Sequence, residues 1–217
     1  MGKSTLLKTL SGVLPPLSGK IFINGTERST LRSEELAKLI SLVLTKQSIS
    51  RNLSVKELVS LGRQPYTNWT GSLQNQDLTI INSALQKIQI EDIQEKKCFE
   101  LSDGQLQKVM IARALAQDTP IMILDEPTTH LDVYHKAQVM QLLGTLSAHS
   151  SKAILFATHE IDLAIQLCDQ IIIMQEDVVR QGTPETLIQE KIFERLFPND
   201  LVQFDSHSRG FRYIRRK

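Results

Sequence analysis

Four short stretches carry residue types that suit phosphate chemistry. Gly2-Lys3-Ser4-Thr5 is the second half of the pattern G-x-x-x-x-G-K-[ST], which turns from a strand into a helix. In that pattern glycine lets backbone N–H groups face phosphate oxygens, lysine reaches the terminal phosphates, and the hydroxyl ligates Mg²⁺. Leu6, Leu7 and Leu10 follow at helical spacing and Gly12 closes the run, so a positive helix end would aim at the phosphates. Four residues alone match by chance, and the rest of the chain decides the reading. Ile121-Met122-Ile123-Leu124 is an apolar strand that runs into two adjacent carboxylates, Asp125 and Glu126. Strand ends at the carboxyl edge of a parallel sheet are where open α/β folds bind ligands. Asp125 is placed to hold a metal shell and Glu126 to polarise an attacking water. Leu101-Ser102-Asp103-Gly104-Gln105 opens a helix through Ala116, with Ser102 suited both to capping it and to meeting an anion. His159 follows a further apolar strand, where it either serves the structure or meets a terminal phosphate.

The elements needed to position these groups are legible around them. Strands are predicted at Lys20–Ile23, ended by an Asn24-Gly25 hairpin signal, and at Leu39–Leu44. From about Ser48 to Ala116 only helical patterns occur, such as Val55–Leu61 and Ile80–Ile88. Beyond Pro120, strands Ile121–Leu124, Ile154–Ala157 and Ile171–Met174 alternate with helices near Tyr134–Ser147 and Ile161–Leu167. The three apolar runs read as buried parallel strands. This is an α/β chain with a parallel sheet covered by helices and an all-helical insertion. The expected division of one 217-residue domain is a core of 1–47 and 117–217 and a helical subdomain of 48–116.

Composition excludes more than it assigns. The 41% hydrophobic and 23% charged fractions are those of an ordinary globular chain, and a net charge of +1 gives no field for nucleic acid. No apolar run approaches the ~18 residues of a membrane helix, and no signal-peptide or myristoylation pattern opens the sequence. A cytosolic location is expected. Cys98 and Cys168 lack metal-ligand spacing and read as separate reduced thiols. The basic end, Arg209–Lys217, reads as a solvated tail with a short strand at Phe211–Ile214.

Taken in order, the four stretches resemble the ABC ATPase family: Walker A at Gly2–Thr5, the signature at Leu101–Gln105, Walker B at Ile121–Glu126 and the switch histidine at His159. His130-Leu131-Asp132 is similar to the D-loop that follows Walker B. The signature is the most specific of these, because other P-loop ATPases lack it. The resemblance implies ATP and Mg²⁺ as cofactors, a head-to-tail homodimer, and permease subunits at the inner face of a membrane. On it, Gly2, Lys3, Ser4 and Thr5 hold phosphates, Ser4 and Asp125 serve the metal, and Glu126 is the base. His159 attends the γ-phosphate, while Ser102, Gly104 and Gln105 serve the partner's nucleotide. Asp132 belongs to the D-loop. The Q-loop residue, implied to meet nucleotide and metal, is Gln47 or its neighbour Lys46, with Gln47 favoured. Asp103 stands where the family usually has glycine.

A narrower resemblance lies in Glu57–Tyr66, which is similar to the E-L-V-x-x-G-R-x-P-Y stretch of importers for iron-siderophores, haem and cobalamin. It implies a permease of that type, with substitutions at Arg63 or Tyr66 uncoupling transport more than they alter basal ATP turnover. The alternatives are an incomplete ABC ATPase fragment and a soluble ABC protein of translation or repair. Only the last half of the phosphate loop is present. At about 1.5–3 kcal/mol for each missing charge-assisted N–H bond, these 217 residues alone are expected to bind ATP weakly or not at all.

Overall fold

A computed structural model describes residues 2–45, 49–129, 131–175, 178–197 and 201–214. Two compact units result, Ser4–Ala157 and a second of Met1–Lys3 with Thr158–Lys217. Each is described by itself.

The first unit holds α1 (Lys3–Leu10) from Ser4 onward. It is closed at Gly12, whose φ of +85° suits the glycine there. A minimal hairpin follows, β1 (Phe22–Ile23) and β2 (Thr26–Glu27), turning through Asn24 and Gly25, both at positive φ. That pair of left-handed residues matches the twist of the strands it joins. After α2 (Ser33–Ala37) comes β3 (Ile40–Val43). Between β3 and the next strand lie α3 (Val55–Ser60), α4 (Asn75–Ile88) and α5 (Asp103–Ala116). Among the described residues the only ladder contact in that interval is an isolated bridge between Ser54 and Lys97. Then come β4 (Ile121–Asp125), α6 (Val133–His149) and β5 (Ala153–Ala157). β3, β4 and β5 form a parallel sheet in that order, Leu42 opposite Ile123 and Ile123 opposite Leu155.

Strand alternation sends Ile40, Leu42, Ile121, Ile123 and Leu155 to one face, where Leu7 and Leu10 of α1 and Ile23 of β1 complete a core. Val43, Met122 and Leu124 are also buried, and α5 packs on β3. These positions fix the register: a one-residue slip would turn both apolar sets over.

The helical interval has its own core, including Val55, Leu58, Val59, Ile81, Leu85, Val109 and Ile111. Its tightest approach is at Gly62, where a Cβ would run into the carbonyl oxygen of Arg113 and the Ala116 methyl. Glycine is required here by space, its backbone lying directly on α5.

The second unit holds α7 (Ile161–Leu167), β6 (Ile171–Met174), β7 (Val179–Gly182), α8 (Pro184–Gln189), β8 (Val202–Asp205) and β9 (Gly210–Tyr213). The sequence reading needs one correction here. Ile171–Met174 is not a buried parallel strand: β6 pairs antiparallel with β7, and Ile172 is exposed. The basic end carries the short strand read there. β9 pairs with β8, and the Phe211 ring lies 5.2 Å from both Phe204 and Phe197. Both cysteines are unpaired as read, and burial pushes the Cys168 thiol up to about 11.

Candidate active site

The carboxyl edge of the sheet gathers the first group of predicted residues. β4 ends on Asp125, which is buried, and the Ser4 hydroxyl in the first turn of α1 donates to its Oδ1 at 2.9 Å. A residue near the start of the chain and one beyond its middle therefore meet through a single bond. Thr45, just past β3, donates through Oγ1 to the Asp125 carbonyl oxygen at 2.9 Å and ties the neighbouring strand to the same point. Hydroxyl and carboxylate oxygens are the hard donors Mg²⁺ accepts, and that ion keeps several waters and phosphate oxygens besides. Two protein donors side by side therefore fit it. Among the described residues no cluster of three or more His, Cys, Asp or Glu side chains could form an all-protein cage.

Glu126 turns away from the strand in an unusual way. Its φ is +50°, a left-handed backbone that costs a non-glycine residue on the order of 1–3 kcal/mol and that concentrates at functional sites. The surroundings hold it there. Its N–H donates to the Ala157 carbonyl at 2.9 Å, and the Thr129 N–H donates to the Glu126 carbonyl at 3.2 Å. The Thr129 hydroxyl donates to Oε2 at 2.7 Å, fixing one carboxylate oxygen. With the strand paired through Asp125, the bend at Glu126 re-aims its carboxylate out of the sheet.

A second group sits at the start of α5. The Ser102 hydroxyl accepts from the Gln105 N–H at 3.3 Å, and the Gln105 side chain accepts from the Ser102 N–H at 3.1 Å. This reciprocal cap leaves Ser102 and Asp103 exposed while Gly104 is buried. Asp132 caps α6, its Oδ1 accepting from the His135 N–H at 2.9 Å. That bond and the His135 ring hold its carboxyl below the usual range.

Gly2, with φ of +99°, Lys3 and the exposed His159 belong to the other unit. Thr5 is exposed on α1, its carbonyl accepting from the Thr9 hydroxyl at 2.8 Å. Gln47 and Lys46, the two Q-loop candidates, and His130 lie outside the described residues. Sequence reasoning missed Thr45, Thr129 and His135. All three are common residue types whose partners come from distant chain or from a turn no pattern marks.

Arg63, a position where substitution is expected to uncouple transport, is 5% exposed. Its Nε donates to Asp77 Oδ1 at 2.8 Å and Nη1 to the Ala116 carbonyl at 3.0 Å, where α5 ends. The guanidinium also lies 3.9 Å from the centre of the Tyr66 ring. A charge that must leave water is retained only with such partners, so Arg63 knits the helical insertion together.

The comparisons agree with this geometry. Residues 1–129 match the family model described as ABC transporter. The petrobactin import ATP-binding protein YclP of Bacillus subtilis is 39% identical over 197 residues, covering 90% of this chain and 77% of its own. The achromobactin transport ATP-binding protein CbrD of Dickeya dadantii is 35% identical over 200 residues, 92% of this chain and 74% of its own. The dimeric ATP-binding cassette MJ0796, solved in a post-hydrolysis state with ADP and Pi, superposes with a TM-score of 0.72 at 28% identity, covering 84% of this chain and 81% of its own. With a family model matched over more than half of its length and relatives of this identity, the chain belongs to the ABC transporter family as an ATP-binding, ATP-hydrolysing subunit.

Proposed function

We propose that this ATPase powers import of an iron-chelate, haem or cobalamin substrate through a separate permease, working as a head-to-tail homodimer at the inner face of the membrane. The single observation that carries the catalytic half is the Ser4–Asp125 hydrogen bond beside Glu126. Ser4 and Asp125 hold Mg²⁺, with Gln47 as a further ligand. Gly2, Lys3 and Thr5 cradle the phosphates, and His159 attends the γ-phosphate. When bound, Mg²⁺ supplies charge neutralisation to the transferring phosphoryl group. Glu126 accepts a proton from the attacking water, its Oε2 pinned by Thr129 so that the carboxylate keeps one aim. Ser102, Gly104, Gln105 and Asp132 face the nucleotide of the second copy. The core of 1–47 and 117–217 carries the hydrolysis, and the helical subdomain of 48–116 meets the permease.

The transport half is supported by the relatives, one named for petrobactin import and one for achromobactin transport. It is supported too by exposed apolar side chains in the helical interval, Leu61, Tyr66, Trp69 and Leu73, with Trp69 97% exposed. No described helix is long and apolar enough to cross a membrane. Purified from its source under mild detergent, the subunit is expected to bring down a polytopic permease of the metal-chelate class. Tyr66→Ala and Trp69→Ala are expected to lower transport severalfold while basal ATP turnover holds. Recovery of only a sugar or amino-acid permease would overturn the subclass.

A further inference from the structure

His135 uses both edges of its ring. Nδ1 lies 2.9 Å from Asp132 Oδ2, and the other edge, Cδ2, would stand 3.1 Å from a Cβ built on Gly104. Cγ and Cβ of the same residue would lie at 3.4 and 3.7 Å from that atom, so the whole near face of His135 fills the space beside Gly104. Tyr134 meets the ring edge-on at 5.7 Å between centroids. Two segments that approach each other from different helices, the cap of α6 and the first turn of α5, are thus separated by a single imidazole.

We propose that His135 is a positioning residue that locks Asp132 to the first turn of the signature helix, so that both face a partner copy's nucleotide as one surface. The inference rests on the head-to-tail reading above. It accounts for glycine at position 104, which sits inside a helix where alanine has the better propensity. The imidazole occupies the volume a methyl group would need. It also accounts for the double use of Asp132: one oxygen caps the helix, the other orients the ring. Fixing two loops relative to each other before the partner arrives removes an ordering cost from association.

The test, on the subunit carrying the full G-x-x-x-x-G-K-S loop, is ATP-driven dimerisation in the Glu126→Gln background, followed by analytical ultracentrifugation, with thermal melting and ATP binding to the monomer measured alongside. His135→Ala is expected to weaken the dimer about tenfold, in the range for contacting residues that act together, and to leave melting and monomer binding unchanged. His135→Asn, whose side-chain amide reaches the position of Nδ1, is expected to recover part of that loss. Gly104→Ala should weaken the dimer at least as much, because its methyl meets the ring. Adding His135→Ala to Gly104→Ala should cost clearly less than the sum of the two single changes, since the methyl then enters the space the ring has left. A His135→Ala dimer as tight as its parent overturns the proposal. So does a loss matched by a lower melting point, or simple additivity of the Gly104 and His135 changes. If the parent forms no ATP-dependent dimer, the head-to-tail reading itself fails and takes this inference with it.

Discussion

In the subunit carrying the full G-x-x-x-x-G-K-S loop, replacing Glu126 with Gln is expected to lower ATP turnover roughly 10²-fold or more while ATP binding stays within a few-fold of the parent. Loss of a general base costs rate on that scale. The substitution keeps the shape of the side chain and removes only its ability to take the proton. Binding should hold because the Ser4–Asp125 pair is a separate contact, made from the strand itself and from α1. Position 126 also bears backbone strain at φ of +50°, and Gln adopts that region at about the same cost as Glu. The fold should therefore tolerate the change, and the ATP-bound dimer should accumulate. Hydrolysis at the parent's rate, measured as phosphate release, would remove Glu126 from the chemistry.

Arg63→Met is expected to cost about 3–5 kcal/mol of stability, the penalty for stranding the other member of a buried ion pair. For a unit of this size that is a melting point lower by roughly 10 °C. The stranded partner is Asp77, itself buried, and the Ala116 carbonyl loses its donor as well. The contrast is Lys97–Glu57, a 3.5 Å pair with side chains 45% and 56% exposed. Lys97→Met should cost under about 1 kcal/mol, as exposed pairs do. Asp77 adds a pH signature. The Gln74 N–H bond and then Arg63 hold its carboxyl below the usual range. A depressed folded-state value stabilises the fold above the unfolded value of about 3.9 and loses that contribution as pH falls through the folded one. In the parent, acid should therefore loosen the helical region below about pH 4, and Asp77→Asn should flatten that part of the curve. Circular dichroism melts of the parent and variants across pH 2–7 check both statements.

Arg63 also shows where reading the residues alone stops. Its stretch, Glu57–Tyr66, was legible as a unit, but an arginine after a helix reads as a surface contact unless its partner is known. Asp77 lies 14 positions on, and only the packing of the Leu61–Tyr66 turn, α4 and α5 brings it within 2.8 Å. Gly62 is similar, since the need for glycine arises from α5, far along the chain. The pairing of Ile171–Met174 escaped for another reason. A β-branched apolar run looks the same beside a parallel or an antiparallel neighbour, and its partner, Val179–Gly182, is mostly polar. What was legible rested on local chemistry. Ser102 with Gln105 three residues later is a reciprocal cap in sequence as in space. Asn24-Gly25 takes the left-handed turn its residue types favour. An apolar strand ending in Asp125 places that carboxylate by the length of the strand alone.

The central claim is that Ser4 and Asp125 form the metal corner of an ATP-hydrolysing site. The most direct test is the Mg²⁺ dependence of ATP turnover in the subunit carrying the full G-x-x-x-x-G-K-S loop, for the parent and for Asp125→Asn. The account predicts no turnover in chelator, saturable activation by Mg²⁺, and a half-saturating concentration raised tenfold or more by Asp125→Asn, on the scale of a lost charged contact. Turnover that survives chelation, or a Mg²⁺ curve that Asp125→Asn leaves in place, would contradict it.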